Sequence, residues 1–125
     1  MYDLTIIAEF EAAHQLPDYP GKCCRLHGHN WKVEVTVAGQ ELNNLGMVMD
    51  FKDLKAEVGK VIDGLDHYYL NDLPAFKTIN PTAENIAKYI YEALAASPAF
   101  QKNIRVRCIQ VWESPRSAVK YYPQE

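Results

Sequence analysis

The chain contains no apolar run approaching the roughly 20 residues that a membrane-spanning helix needs. Its first residues also lack the charged, apolar and cleavable regions of a signal peptide. Both absences predict a cytoplasmic protein with no membrane partner. Cysteine is scarce: three residues, an odd number with two adjacent, make no plausible disulfide framework. Reduced thiols in a reducing compartment are the simpler expectation. Positive charge is scarce as well. With 13 Lys and Arg against 16 Asp and Glu, a net charge of −3, and the basic residues scattered rather than striped, the sequence argues against a nucleic-acid surface built on phosphate contacts. Internal repeats, low-complexity tracts and linkers are missing too. The 125 residues therefore fit one domain, 1–125, large enough to bury roughly two-thirds of the surface that its unfolded form would expose.

What is present is clear patterning. Leu4, Ile6, Ala8, Phe10, Ala12 and His14 share one parity while Thr5, Glu9 and Glu11 fall on the other, which predicts a half-buried strand over residues 2–14. Pro17, Pro20 and Gly21 turn the chain. From His29 the alternation resumes through Trp31, Val33, Val35 and Val37 and ends near Gly39. Asp50 is the expected N-cap of a helix carrying Phe51, Leu54, Val58, Val61, Ile62 and Leu65, closed by Asp66-His67. A second helix is expected from the N-cap Thr82, through Ile86, Ile90, Ala93 and Leu94, to Ser97-Pro98. Ile104 to Glu113 and Ala118 to Tyr122 read as strands joined by a turn at Ser114-Pro115-Arg116. The order ββααββ predicts an α+β domain, an antiparallel sheet with both helices on one face. Its unpaired edge strands invite closure by oligomerisation.

Histidine is rare, yet three of the four residues fall at His14, His27 and His29. Side chains two apart on a strand share a face. His27 and His29 therefore present nitrogens to one point, Gly28 adds no bulk between them, and His14 supplies a third ligand from the neighbouring strand. Three neutral nitrogens at about 2.0–2.1 Å suit Zn²⁺ and leave a fourth tetrahedral position for water or substrate, the mark of a catalytic site. A structural site would want a fourth protein ligand, which Cys23 or Cys24 can provide.

Cys23 sits in a polar loop near Lys22, Arg25 and the prospective dication, surroundings that favour thiolate and fit it to act as base or nucleophile. Metal ligation and simple burial are its alternatives; Cys108, mid-strand, has no such setting. In Asp66-His67 a carboxylate beside an imidazole can orient it and relay a proton, although a histidine interacting with the helix dipole is the plainer reading. Glu113 shares parity with Ile109 and Val111. Turned inward, its carboxylate would need donors, and a bidentate bond to the N–C–NH2 edge of a pterin or guanine is an apt use; a solvated strand end is the alternative. Tyr89, Tyr91, Tyr121 and Tyr122 are expected to serve packing.

With these residues in place the chain resembles the 6-pyruvoyl-tetrahydropterin synthase and 6-carboxy-tetrahydropterin synthase family from about Leu4 to Tyr122. The motifs that carry the resemblance are Phe10-Glu11-Ala12-Ala13-His14, Cys23-x-x-x-His27-Gly28-His29, Met49-Asp50-Phe51-x-x-Leu54-Lys55, Leu65-Asp66-His67-x-Tyr69-Leu70-Asn71, Asn80-Pro81-Thr82-x-Glu84-Asn85 and Glu113-Ser114. The resemblance implies a tunnelling fold whose subunits close into trimeric barrels that stack as a homohexamer, with active sites at subunit interfaces. It implies Zn²⁺ on His14, His27 and His29, a pterin anchored by Glu113 with Thr82 and Glu84 also in the substrate site, and proton transfer by Cys23, Asp66 and His67. The implied substrate is 7,8-dihydroneopterin triphosphate. A compact chain with the C-x-x-x-H-G-H spacing looks like the branch that forms 6-carboxy-5,6,7,8-tetrahydropterin, acetaldehyde and triphosphate on the queuosine (7-deazaguanine) route. The pyruvoyl-forming branch on the biopterin route, or a non-catalytic zinc-containing pterin- or purine-binding module, is the alternative. Cys24 stands where the family pattern leads one to expect a small residue such as glycine, so the doublet offers two thiols, and the four-residue spacing to His27 selects Cys23.

Overall fold

The structure is a computed structural model that describes residues 1–100 and 103–124, with the side chain of Cys23 outside the description. Strands β1 (Tyr2–His14) and β2 (His27–Gly39) are followed by helices α1 (Phe51–Asp63) and α2 (Ala83–Ala95), then by strands β3 (Ile104–Ser114) and β4 (Ser117–Tyr121). The four strands form one antiparallel sheet in the order β1-β2-β3-β4. This is the expected ββααββ order, with β2 beginning two residues earlier, at His27.

Strand alternation puts Ile6, Phe10 and Ala12 on the same buried face as Trp31, Val33, Val35 and Val37 of β2 and Val106, Ile109 and Val111 of β3. The register sets Phe10 opposite Trp31, Ile6 opposite Val35 and Val33 opposite Val111. Leu54, Val58 and Ile62 of α1 and Ile86, Ala87, Ile90 and Leu94 of α2 cover this face, and all belong to one apolar cluster. Both helices thus lie on one side. The other face of β1, with Thr5, Ile7, Glu9 and Glu11, is exposed.

The helices start where their caps put them: the Asp50 side chain accepts from Lys52 N–H and that of Thr82 from Asn85 N–H. The end of α1 departs from expectation. The helix stops at Asp63, because Gly64 and Leu65 tighten into bonds to the carbonyls of Val61 and Ile62. Asp66 and His67 therefore lie in the turn beyond the helix rather than closing it. The segment then runs along the outer edge of β1: His67 N–H donates to Glu11 O, and Ala13 N–H donates to Tyr68 O. Two short 3-10 turns, Leu70–Asp72 and Pro74–Phe76, continue it and bury Leu70 and Phe76.

The far end of the sheet is packed closely around Gly39. A Cβ there would stand 2.6 Å from Val48 Cγ1 and 3.2 Å from the backbone oxygen of Asn103. Gly39→Ala is expected to lower stability by about 1–3 kcal/mol through overpacking, a loss that urea unfolding would register, with little effect on the histidine cluster at the opposite end.

Candidate functional site

The β1–β2 register brings the histidines together. His14 pairs directly with His27, and Ala12 pairs with His29, so all three imidazoles project from the core face at one end of the sheet. Trp31 forms the floor, edge-on to His14 and His29 at ring separations of 5.1 and 5.2 Å and stacked against Phe10 at 5.9 Å. Its indole N–H donates to Ala12 O, which leaves the floor without an unpaired donor.

Backbone carbonyls fix the two tautomers that matter. His14 Nδ1 lies 2.8 Å from Pro81 O, and His27 Nδ1 lies 2.7 Å from Arg25 O. A carbonyl can only accept, so each Nδ1 carries the proton and each Nε2 presents a lone pair. Those two Nε2 atoms face each other at 2.9 Å. His29 Nε2 is buried with no hydrogen-bond partner. The three donor atoms lie within 4.8 Å of one another, and nitrogens at about 2.0–2.1 Å from a tetrahedral centre stand roughly 3.3 Å apart. Converging lone pairs and an orphaned buried nitrogen are what a cation would satisfy, so the residues fit a metal. Burial pushes the His14 and His29 imidazoles below their usual range, against the Pro81 bond in one case and the Glu113 charge in the other. Both are thereby kept in the neutral form that ligates.

The supports of this cluster are local. Beyond His14, Gln15 and Asn71 clasp reciprocally, Gln15 N–H to Asn71 Oδ1 and Asn71 Nδ2 to Gln15 O, each at 2.9 Å, while the Tyr69 hydroxyl donates to Gln15 Oε1. The Asn80-Pro81-Thr82 turn that aims the Pro81 carbonyl is held by Thr82 N–H and Asn85 Nδ2, both donating to Asn80 O.

Glu113 reaches the cluster, its Oε1 3.9 Å from His29 Nε2. Trp112 pairs with Ala118 and Ser114 with Ser117, so Glu113 is the extra, unpaired residue of a bulge on β3. Such bulges re-aim side chains next to functional sites. Its inward parity with Ile109 and Val111 is as expected.

Asp66 and His67 lie across the sheet end. Asp66 Oδ1 accepts from Glu11 N–H at 2.9 Å and stands 2.9 Å from His67 Nδ1. The Glu11 N–H, ahead of His67, holds the Asp66 carboxyl below the usual carboxylate range, partly offset by burial. His67 has φ +63°, the left-handed region that costs an ordinary side chain about 1–2 kcal/mol. A cleft of about 570 Å³ joins the two groups, lined by Glu11, Gly28, His29, Asn30 and His67.

Thr82 spends its hydroxyl on the α2 cap, and Glu84 is exposed in the first turn of that helix. Lys22–Cys24 form a 3-10 turn, and the Cys23 side chain lies outside the described residues. Cys24 is a half-buried free thiol, and among the described residues the metal-ready cluster contains only histidines. Burial pushes the Cys108 thiol up, against a hydrogen bond from Tyr122. Strand alternation gives no sign of the carbonyls of Arg25 and Pro81 or of the contacts from Glu11. The only signal for Glu11 is its place in the Phe10-Glu11-Ala12-Ala13-His14 run.

A ββααββ sheet of this topology with a histidine trio at its end defines a tunnelling-fold protein. The solved structure of Caenorhabditis elegans 6-pyruvoyl tetrahydropterin synthase superposes with a TM-score of 0.85 at 30% identity, covering 98% of this chain and 96% of that one. The family model for 6-pyruvoyl tetrahydropterin synthase matches residues 3–124, and the chain belongs to that family. It is similar to the 6-carboxy-5,6,7,8-tetrahydropterin synthase of Synechocystis, 42% identical over 90% of this chain and 87% of the relative. It also resembles the enzyme of the same name from Bacillus subtilis, 36% identical over 99% and 87%. A Dictyostelium discoideum 6-pyruvoyl tetrahydrobiopterin synthase is 42% identical over 62% of this chain and 58% of its own length. No helix among the described residues is long and apolar enough to cross a membrane.

The left-handed backbone at His67 yields a stability expectation. His67→Gly removes the strain and only exposed ionic contacts, which are worth little. It is expected to raise stability by about 1 kcal/mol, read as a higher urea midpoint at fixed metal content.

Proposed function

We propose that this chain, as a single 1–125 domain, is a zinc-dependent carbon–carbon lyase. It converts 7,8-dihydroneopterin triphosphate to 6-carboxy-5,6,7,8-tetrahydropterin, acetaldehyde and triphosphate for queuosine and related 7-deazaguanine synthesis. The observation that carries this reading is the convergence of one ring nitrogen from each of three histidines, with the Glu113 carboxylate 3.9 Å from His29 Nε2. Relatives that carry the 6-carboxy name match nearly the whole chain at 42% and 36% identity and support the product, while the Dictyostelium 6-pyruvoyl enzyme matches less of the chain and the Caenorhabditis elegans one, over nearly its whole length, is 30% identical.

His14, His27 and His29 would hold the zinc ion, which would supply Lewis acidity toward substrate oxygens. The remaining work belongs to the chain. Glu113 accepts two N–H bonds from the pterin N–C–NH2 edge and so fixes which end of the substrate faces the histidines. The Cys23 thiolate removes a side-chain proton, and His67, oriented through Nδ1 by Asp66, accepts or returns protons through Nε2. Thr82, on the turn that aims Pro81 at His14, and Glu84, in the first turn of α2, border the substrate site. Trp31 and the core beneath it keep water from the inner side of the histidines. The edge of β1 short of Glu11 and the edge of β4 support a homo-oligomer, a hexamer of two trimers, and the free thiols suit the cytoplasm.

Incubation of zinc-loaded protein with 7,8-dihydroneopterin triphosphate, followed by mass spectrometry, is expected to give 6-carboxy-5,6,7,8-tetrahydropterin and acetaldehyde. His27→Ala should abolish both. Appearance of 6-pyruvoyl-tetrahydropterin would move the chain to the other branch, and tight pterin binding without turnover would make it a binding module. Cys23→Ala is expected to lower kcat by at least about 100-fold and Cys24→Ala to have little effect; the reverse would assign the proton to Cys24.

Metal removal separates a catalytic from a structural ion. The apolar cluster beneath the helices does not depend on the histidines, so chelation is expected to stop turnover and leave the far-ultraviolet circular dichroism spectrum nearly unchanged. Unfolding on chelation would identify a structural site.

A further inference from the structure

Glu11 touches the catalytic dyad in three ways, none of which the roles given to zinc, thiol and pterin anchor explains. Its N–H donates to Asp66 Oδ1 at 2.9 Å, its carbonyl accepts from His67 N–H at 2.6 Å, and its Oε2 lies 3.4 Å from His67 Nε2. Asp66 Oδ1 holds the other ring nitrogen at 2.9 Å. Each nitrogen of the imidazole therefore faces its own carboxylate. The ring is 73% exposed, so packing does little to restrain it, and a single bond at Nδ1 leaves it free to swing about that bond. A second contact on the opposite nitrogen, which the Glu11 carboxylate makes when Nε2 carries a proton, restricts that swing.

Strand parity points Glu11 away from the core, and the register sets it opposite Asn30, next to His29. Glu11, Asn30, His29 and His67 line one cleft, together with Tyr68 and Tyr69. We infer that Glu11 is a positioning residue for His67: its backbone fixes Asp66 and the left-handed turn, and its carboxylate holds Nε2 over the cleft until substrate replaces it. The 3.4 Å separation is long enough for that replacement without loss of a strong bond. The inference rests on the proposed lyase reading for the task that His67 performs, but the geometry it asserts stands apart from any product.

Substitution by Ala, Gln or Asp at position 11 isolates the side chain, because each keeps the backbone N–H and carbonyl that make the other two contacts. The experiment compares zinc-loaded wild type with Glu11→Ala, Glu11→Gln and Glu11→Asp, by steady-state kinetics on 7,8-dihydroneopterin triphosphate and by ¹⁵N correlation spectra of the His67 ring. Glu11→Ala is expected to lower kcat roughly tenfold, a fraction of a full general acid–base contribution, with KM nearly unchanged and the His67 Nε2 resonance displaced. Glu11→Asp should recover part of kcat, and Glu11→Gln, which keeps an accepting oxygen, should fall between. Wild-type kcat in Glu11→Ala, or a kcat loss with the His67 ring resonances unmoved, would overturn the inference. If the wild type itself makes no product, the lyase reading fails while the ring spectrum still decides: resonances unchanged in Glu11→Ala refute the positioning role, and displaced ones sustain it.

Discussion

The hydrogen-bond ladder between β1 and β2 gives each residue of one strand a single partner on the other, from His14 opposite His27 to Tyr2 opposite Gly39, and both the core and the site depend on that one alignment. The pairing that puts Phe10 against Trp31 also puts His14 against His27. A slip of one residue would turn the buried face of β2 outward. Trp31, Val33 and Val35 would enter water in the same step that carried His27 and His29 to the other side of the sheet. Burial of the apolar row therefore specifies the ligand geometry, at no separate cost in sequence. The last two rungs of a packing pattern have been given to imidazoles.

Alignment alone does not make three imidazoles into one binding site. Two loops, unrelated in sequence, each send a carbonyl to an Nδ1, and so turn the remaining lone pairs toward a common point. Loops are the natural source of such carbonyls, since those in the ladder are already bonded. The capped turn before α2 fixes the Pro81 carbonyl, and the Gln15–Asn71 clasp holds the chain just beyond His14. The stiffness of the cluster comes from polar contacts outside it as much as from the floor beneath it.

Most of the fold was legible because alternation with period two and helical spacing are local properties of sequence. They located β1 with His14 on its buried row and gave Glu113 its inward direction, and Asp50 and Thr82 announced both helices. Less legible were features set by the direction of a loop in space. Nothing in the letters marks Arg25 and Pro81 as carbonyl donors of orientation. The end of α1 was also misjudged: Leu65 is buried and fits the helical spacing, yet the backbone has left the helix at Gly64, and only that departure lets Asp66 and His67 reach the edge of β1. The left-handed conformation of His67 could not be read either, since such positions ordinarily favour glycine.

The segment after α1 has a further effect on the free side of the sheet. The backbone groups of Glu11 and Ala13 that face away from β2 are already bonded to residues 66–68, whereas those of Asp3, Thr5, Ile7 and Glu9 face outward along the same edge. A strand from another chain that lengthens the sheet here can zip only as far as Glu9 before it meets occupied groups. The segment acts as an end stop, and a ladder built across two molecules would have its register limited by it and its last rung beside the His67 ring.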